Sequence, residues 1–311
     1  LPHPVTENDR GRLKFATFPD GDQNWVHETS FCGAEFRWIA TQDKFESRLY
    51  RLPIWNLHLE VESADSKVLT PHLDNRVLQE FVSEQVSRLF HAPAWGRRYL
   101  CGKLVENEPL HTALRQIGFR EVERRRLYRC KVRNIAARVS SFTEDSIRFT
   151  SLAAIPPEQH SSYHQQILNI CREAFEGKGH SRHFIDPVLR ERLPGVAYML
   201  AIMNLNFEHI APDHFLVAID RCSDQVCGFS VIGKKIGFEE GVYTQLLSAV
   251  RKTYRSQGIY RRLTHILSQV LPLNATLLNV THINNYDIQR AYQGSGRVHL
   301  ADTVVVRRVF A

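Results

Sequence analysis

The sequence predicts an α+β protein of two similar domains, each an open mixed β-sheet with flanking helices. Three observations carry this. The 311 residues suit two domains of roughly 150 each. The second half orders its elements β-α-α-β-β-β-α-β-α-β, the pattern of a sheet with helices packed on its faces. The chain also repeats itself: Asn107 stands eleven residues before Gly118, Asn285 eleven before Gly296, and a strand follows each glycine. Residues 134–145 are polar toward their end and lack periodicity, so the linker falls there, between domains at 1–140 and 141–311.

In the first half, Pro53 to Val61 alternates like a strand. Asp74 caps a helix that runs through Val77, Phe81, Val86 and Leu89. Arg98 to Val105 is a strand, Pro109 to Ile117 a helix stopped by Gly118, and Leu127 to Val132 a strand. In the second half a strand at 146–150 precedes a helix at 160–175. A Gly/His-rich loop at 176–183 leads to a second helix at 187–204. Strands follow at 215–220, 226–232 and 241–250. The chain closes with a helix from Gly258 to Val270, a strand at 275–281, a helix at 286–292 and a strand at 303–310.

Hydrophobic residues make up 43% and charged residues 23%, an ordinary globular balance. No stretch approaches the roughly 18 apolar residues of a membrane span, and no secretory leader is visible at the start. The six cysteines are scattered without a CxxC pair, which fits reduced, mostly buried thiols in a cytoplasmic protein. His160 and His164 lie four apart on a helix, but a third ligand is missing, so no metal is expected. The sequons at Asn274 and Asn279 fall in what reads as a core strand and are taken as chance. Net charge +7 suits an anionic ligand. The basic run from Arg120 to Arg133 alternates like a solvated strand face, and no nucleic-acid signature accompanies it.

The informative segment runs from Val250 to Leu263. A strand ends at Val250, and a short loop crosses to a helix that begins near Gly258. Arg255, Gly258 and Tyr260 stand at R-x-x-G-x-Y spacing. The first N–H groups of a helix have no intrahelical acceptor, and the helix dipole favours negative charge beside them. Gly258 has no side chain to hold a phosphate away, and Arg255, Arg261 and Arg262 add positive charge. Such a site suits a pyrophosphate.

These residues resemble motif A of the GNAT superfamily of N-acetyltransferases, V-x-P-x-x-R-x-x-G-x-G/A. Asn285, Arg290 and Tyr292 match the family's N-x-x-A-x-R-x-Y helix, and Gly296 matches the glycine of the "GF" that follows it. The resemblance implies two GNAT-like domains, the N-terminal one degenerate. It also implies that Arg255, Ser256, Gln257, Gly258, Ile259 and Tyr260 hold the pyrophosphate of acetyl-CoA or another acyl-CoA. Leu247, Ser248, Ala249 and Val250 would then pair with the pantetheine, with Asn285 and Tyr292 completing the cofactor site. Four departures stand out: Lys252 for proline, Tyr260 for the second small residue, Ile288 for alanine and Arg297 for phenylalanine. The first half keeps Asn107, Gly118 and Phe119, has no such loop, and carries Leu114 where Tyr292 would be. The arrangement looks like the dTDP-fucosamine acetyltransferase branch, as does the segment from Phe184 to Pro187.

Such a reaction is direct attack of a neutral amine on a thioester. Tyr292 occupies the position of the acid that serves the leaving thiolate. The base is not identified; Glu239, Glu240, His180 and His183 are the candidates. Lys178, His180, Arg182 and His183 are expected to bind an anionic acceptor between the halves. The expected function is N-acetylation of a small-molecule primary amine, such as an amino-sugar nucleotide, without nucleic-acid or membrane partners. Homodimer formation is left open. The alternatives are transfer to a protein or carrier protein, and acyl-CoA binding without catalysis.

Overall fold

The computed structural model describes residues 13–17, 23–31, 34–63, 80–85, 98–105, 108–136, 146–176, 179, 181–234 and 241–310. Contacts divide the chain into unit 1, residues 1–124 with 302–311, and unit 2, residues 125–301. The architecture is α+β with mixed strand pairing, as expected.

Unit 1 holds β1 (Leu13–Thr17), β2 (Gln23–Phe31), β3 (Ala34–Gln42), α1 (Lys44–Tyr50) and β4 (Ile54–Ser63), followed by α2 (80–85), β5 (Arg98–Val105) and α3 (Glu108–Gln116). It also takes the start of β6 (Arg120–Lys131) and most of β12 (Val298–Phe310). The strands β1 to β4 pair antiparallel in turn, β4 pairs parallel with β5, and β5 pairs antiparallel with Thr303–Phe310 of β12. Asp43 starts α1 as an N-cap, accepting from Glu46 N at 2.8 Å. Trp38, Ile54, Leu57 and Tyr99 of its strands are buried, and so is Tyr50 at the end of α1.

Unit 2 holds the rest of β6, then α4 (Val132–Ala136), β7 (Ile147–Ser151), α5 (Pro157–Phe175), α6 (Arg182–Ile185), α7 (Pro187–Arg190) and α8 (Gly195–His209). Next come β8 (Phe215–Asp220), β9 (Gln225–Lys234), β10 (Val242–Val250), α9 (Ile259–Val270), β11 (Thr276–His282), α10 (Tyr286–Gly294) and the first residues of β12. Its strand order is β12-β6-β11-β10-β9-β8-β7. β10 and β11 pair parallel; β6 with β11, and β10, β9, β8 and β7 in turn, are antiparallel. The single helix read over 187–204 is two, because Pro194 cannot continue α7 and instead opens α8.

Strand alternation sends one set of side chains to each face. Leu216, Ala218, Cys227, Ile232, Tyr243 and Leu277 meet Ile259, Leu263 and Leu267 of α9 on one face. Val217, Ile219, Phe229, Val231 and Ala249 meet Tyr163, Ile167 and Ile170 of α5 and Met203 of α8 on the other. These are called the α9 face and the α5 face below.

The repeat survives in backbone detail. Gly118 and Gly296 both take positive φ, 91° and 86°. Phe119 N donates to Leu114 O at 3.0 Å, and Arg297 N donates to Tyr292 O at 3.0 Å, so α3 and α10 end in the same way. The larger part of each repeat's closing strand lies outside its own unit: Arg125–Lys131 pairs with β11 in unit 2, and Thr303–Phe310 pairs with β5 in unit 1.

Cys101, Cys130, Cys171 and Cys227 are buried free thiols, and Cys222 is an exposed one. Among the described residues no helix is long and apolar enough to cross a membrane.

Candidate functional site

Two local features of unit 2 make the site. The first is a parting of strands. β10 and β11 pair only over Val242–Thr244 and Thr276–Leu278. At that point β10 carries a bulge, with its register against β9 shifting between Gln245 and Leu247. The extra residue, Leu246, bends β10 away from β11. The paired stretch is short, so the carboxyl ends of two parallel neighbours diverge where a ligand can enter.

The second feature is the loop from β10 to α9. Ser256 and Gly258 both have positive φ, 64° and 75°. Left-handed residues in such a turn direct backbone N–H groups to one side and make an anion-binding concavity. Arg262 N bonds Gly258 O as α9 begins, so the N–H groups of Ile259, Tyr260 and Arg261 have no acceptor within the helix. A methyl group placed on Gly258 would find nothing within 4 Å, so the backbone there is open to close approach. Arg255 is exposed beside it, its Nε on Val250 O at 3.1 Å.

Side chains anchor this loop from below. The Glu173 carboxylate accepts from Lys252 N. Asp220 accepts from Tyr254 OH at 2.7 Å, from Cys222 N at 2.8 Å and from Ser223 N at 3.1 Å. The bond from Tyr254, with the two N–H groups, holds the Asp220 carboxyl below its usual range. The loop is thereby shaped before any ligand arrives.

Between loop and strand gap, on the α9 face, lies a buried polar network. Gln245 sits at its centre. Its Oε1 accepts from Tyr260 OH at 3.0 Å and from Asn279 Nδ2 at 3.1 Å, while its Nε2 lies 2.7 Å from both Ser230 Oγ and Ser248 Oγ. Arg297 Nε donates to Asn279 Oδ1 at 2.8 Å, and its other nitrogens meet Ser295 Oγ and, at 3.4 Å, Gln245 Oε1. The Arg297 guanidinium also covers the Tyr292 ring at 4.8 Å from its centre, and the Tyr128 ring packs edge-on against Tyr292 at 5.2 Å. Burial pushes the Tyr292 phenol well above its ordinary value, with Tyr260 adding to the shift and Arg297 opposing it. The phenol is therefore protonated at neutral pH and able to donate.

Of the residues expected from sequence, Leu247, Ser248, Ala249 and Val250 form the diverging end of β10. Arg255 to Tyr260 form the loop and the first turn of α9. Tyr292 is 5% exposed in α10, and Asn285 is the half-buried residue before it. The Tyr260 side chain turns into the sheet, which explains how a large residue is accepted at that position. Arg182 and His183 are buried, at 2% and 5% exposure, with the His183 ring stacked on Tyr198 at 3.6 Å. They are built into the packing around α6 and α8 rather than set out on an open loop. Lys178, His180, Glu239 and Glu240 lie outside the described residues, as does Asn107. His160 Nε2 is within 3.0 Å of two backbone carbonyls, and His164 stacks on Phe207, so the two rings serve separate local contacts. Asn279 belongs to the network, whereas Asn274 lies in an exposed turn before β11 rather than in the strand.

Sequence reasoning missed Gln245, Asn279, Ser230 and the role of Arg297. The signal available was polarity in the wrong place: Gln245 and Asn279 interrupt strands whose neighbours are apolar.

The fold is that of the GNAT acetyltransferases. A GCN5-related N-acetyltransferase from Sphaerobacter thermophilus superposes with a TM-score of 0.52 at 12% identity, covering 89% of this chain and 81% of that one. A tandem GNAT protein from the clavulanic acid biosynthesis pathway gives 0.50 at 11% identity, over 93% and 82% of the two chains. A functionally unknown conserved protein from Staphylococcus epidermidis gives 0.51 at 11% identity over 98% of both. No protein-family model and no curated protein sequence matches the chain.

Proposed function

We propose that unit 2 is an acyl-CoA-dependent N-acyltransferase, using acetyl-CoA or another acyl-CoA, that acts on a primary amine of a small molecule. The observation that carries this reading is one loop in one place: Gly258 with positive φ at the start of α9, directly after the strand that parts from β11. The residues suit the co-substrate. The N–H groups of Ile259 to Arg261, with Arg255, would take the pyrophosphate, and the free edge of Leu247 to Val250 would take the pantetheine amides.

The bound thioester supplies an activated acyl carbon. The amine nitrogen forms the new C–N bond, the C–S bond breaks, and the surplus ammonium proton passes to water. Tyr292 gives its proton to the departing sulfur and recovers one from solvent. Arg297 stands over the ring and favours the phenolate while it lasts. The amino-sugar nucleotide as acceptor rested on the resemblance to the dTDP-fucosamine acetyltransferase branch and on the segment from Lys178 to His183, in which Arg182 and His183 are buried; the reading kept here is the broader one, a small primary amine.

Thiol release from acetyl-CoA across a panel of amines tests the reading. Tyr292→Phe is expected to lower kcat by about 10²-fold and leave acetyl-CoA affinity nearly unchanged, because the phenol acts on charge that develops only as the bond breaks. Tyr260→Phe serves as the comparison. If it loses turnover and Tyr292→Phe does not, the acid is Tyr260.

A further inference from the structure

At the bulge the two faces of the sheet differ. The α9 face is filled by Gln245, Asn279, Tyr260, Tyr292 and Arg297, bonded to one another. An acceptor cannot enter from that side without breaking the network. Among the described residues the α5 face there presents exposed apolar side chains instead. Leu246, the bulge residue, is 43% exposed, and its side chain lies over Gly233, where a Cβ would meet it at 2.8 Å. Thr244, opposite Gly233, belongs to this face, and so does its partner Leu278; Val280, two residues on, is 42% exposed. On β12 the His299 ring meets Tyr128, which is paired with Asn279 and so marks the α9 face. Its neighbours Val298 and Leu300 therefore point the other way, at 68% and 49% exposure. Four of the large exposed apolar side chains of unit 2 thus lie on one face, beyond the part that α5 and α8 cover, and they reach the point where β10 and β11 part.

We infer that the acceptor is a monoamine with an apolar body, alkyl or aryl, whose carbon chain lies along Leu246, Val280, Val298 and Leu300 with its nitrogen at the bulge. The inference rests on the acyltransferase reading above and names its substrate class. Two further points favour this occupant. Apolar surroundings disfavour an ammonium ion, so they help deliver the neutral amine that attack requires. Arg129 and Lys131 lie on this same face of β6, since Arg129 pairs with Leu278 and Lys131 with Thr276; they oppose a second positive charge and so disfavour polyamines.

The test measures thiol release from acetyl-CoA by the full chain with n-alkylamines from ethyl to hexyl, with phenethylamine, glucosamine and spermidine. Expected is a rise in kcat/KM of up to about 4-fold per methylene, as burial of each group provides. Glucosamine and spermidine should fall at least about 10-fold below hexylamine. Val280→Ser and Leu300→Ser, both surface changes, should flatten the series. A flat series, or a preference for glucosamine or spermidine, overturns the apolar acceptor and leaves acyl transfer standing. Acetyl-CoA binding without thiol release for any amine overturns acyl transfer itself, and the acceptor inference with it.

Discussion

Gly258→Asp is expected to abolish acyl-CoA binding. The backbone at Gly258 has φ 75°, stands at the start of α9 and is open to approach. A carboxylate there meets the pyrophosphate at close range. Two like charges about 4 Å apart repel by about 4 kcal/mol at the effective dielectric of a protein surface, or about 10³-fold in affinity. The substitution also removes the favourable direction of the helix dipole by neutralising it. Gly258→Ala separates the two effects. Its methyl clashes with nothing, but the left-handed conformation costs alanine about 1–2 kcal/mol. Calorimetry with coenzyme A should therefore find weakened binding for alanine and none for aspartate. Aspartate binding as tightly as glycine would remove the loop from the site.

Arg297→Met should lower turnover by about 10²-fold while changing stability far less than burial of a charged residue suggests. Arg297 is 3% exposed, yet the acceptors it meets, Asn279, Ser295 and Gln245, are neutral. A buried cation without a carboxylate carries a desolvation cost of several kcal/mol, which methionine relieves. Methionine also orphans Asn279 Oδ1, at about 1–3 kcal/mol, whereas Gln245 Oε1 keeps Tyr260 and Asn279 Nδ2, and Ser295 Oγ keeps Tyr292 O. The two terms oppose, so the net change in stability should be small. No such cancellation applies to turnover, where the guanidinium favours the Tyr292 phenolate. The check is kcat and KM beside a thermal melt. A large fall in melting temperature with unchanged kcat would make Arg297 a packing residue only.

Much of this site was legible because its signals are local. The R-x-x-G-x-Y spacing depends on a glycine that alone tolerates φ 75° at no cost, and the structure places that glycine at a helix start. Gly118 and Gly296 were readable as helix stops for the same reason. What was not legible depends on residues far apart in the chain. Gln245, Asn279 and Arg297 look like isolated polar residues until β10, β11 and the turn after α10 bring them together. Leu246 reads as one more strand residue, because a bulge has no sequence signature of its own here. Arg182 and His183 were expected on a loop that binds an anionic acceptor, because charged residues are mostly exposed; instead they are packed inside. The repeat was readable as two copies, but strand pairing is non-local, so the exchange of the closing strands was not.

That exchange has a consequence for synthesis. A ribosome making this chain completes β4 and β5 early, but the neighbour of β5 on its other side is Thr303–Phe310. At about 5–20 residues per second, β5 waits about 10–40 s with its hydrogen-bonding edge bare. A bare edge is a template for wrong pairing, with another nascent chain or with a second copy of this one. β6 waits in the same way for β11 and for the first residues of β12, both made much later. Unit 1, begun first, is thus the last to be finished, and the risk of aggregation during production lies with β5 and β6.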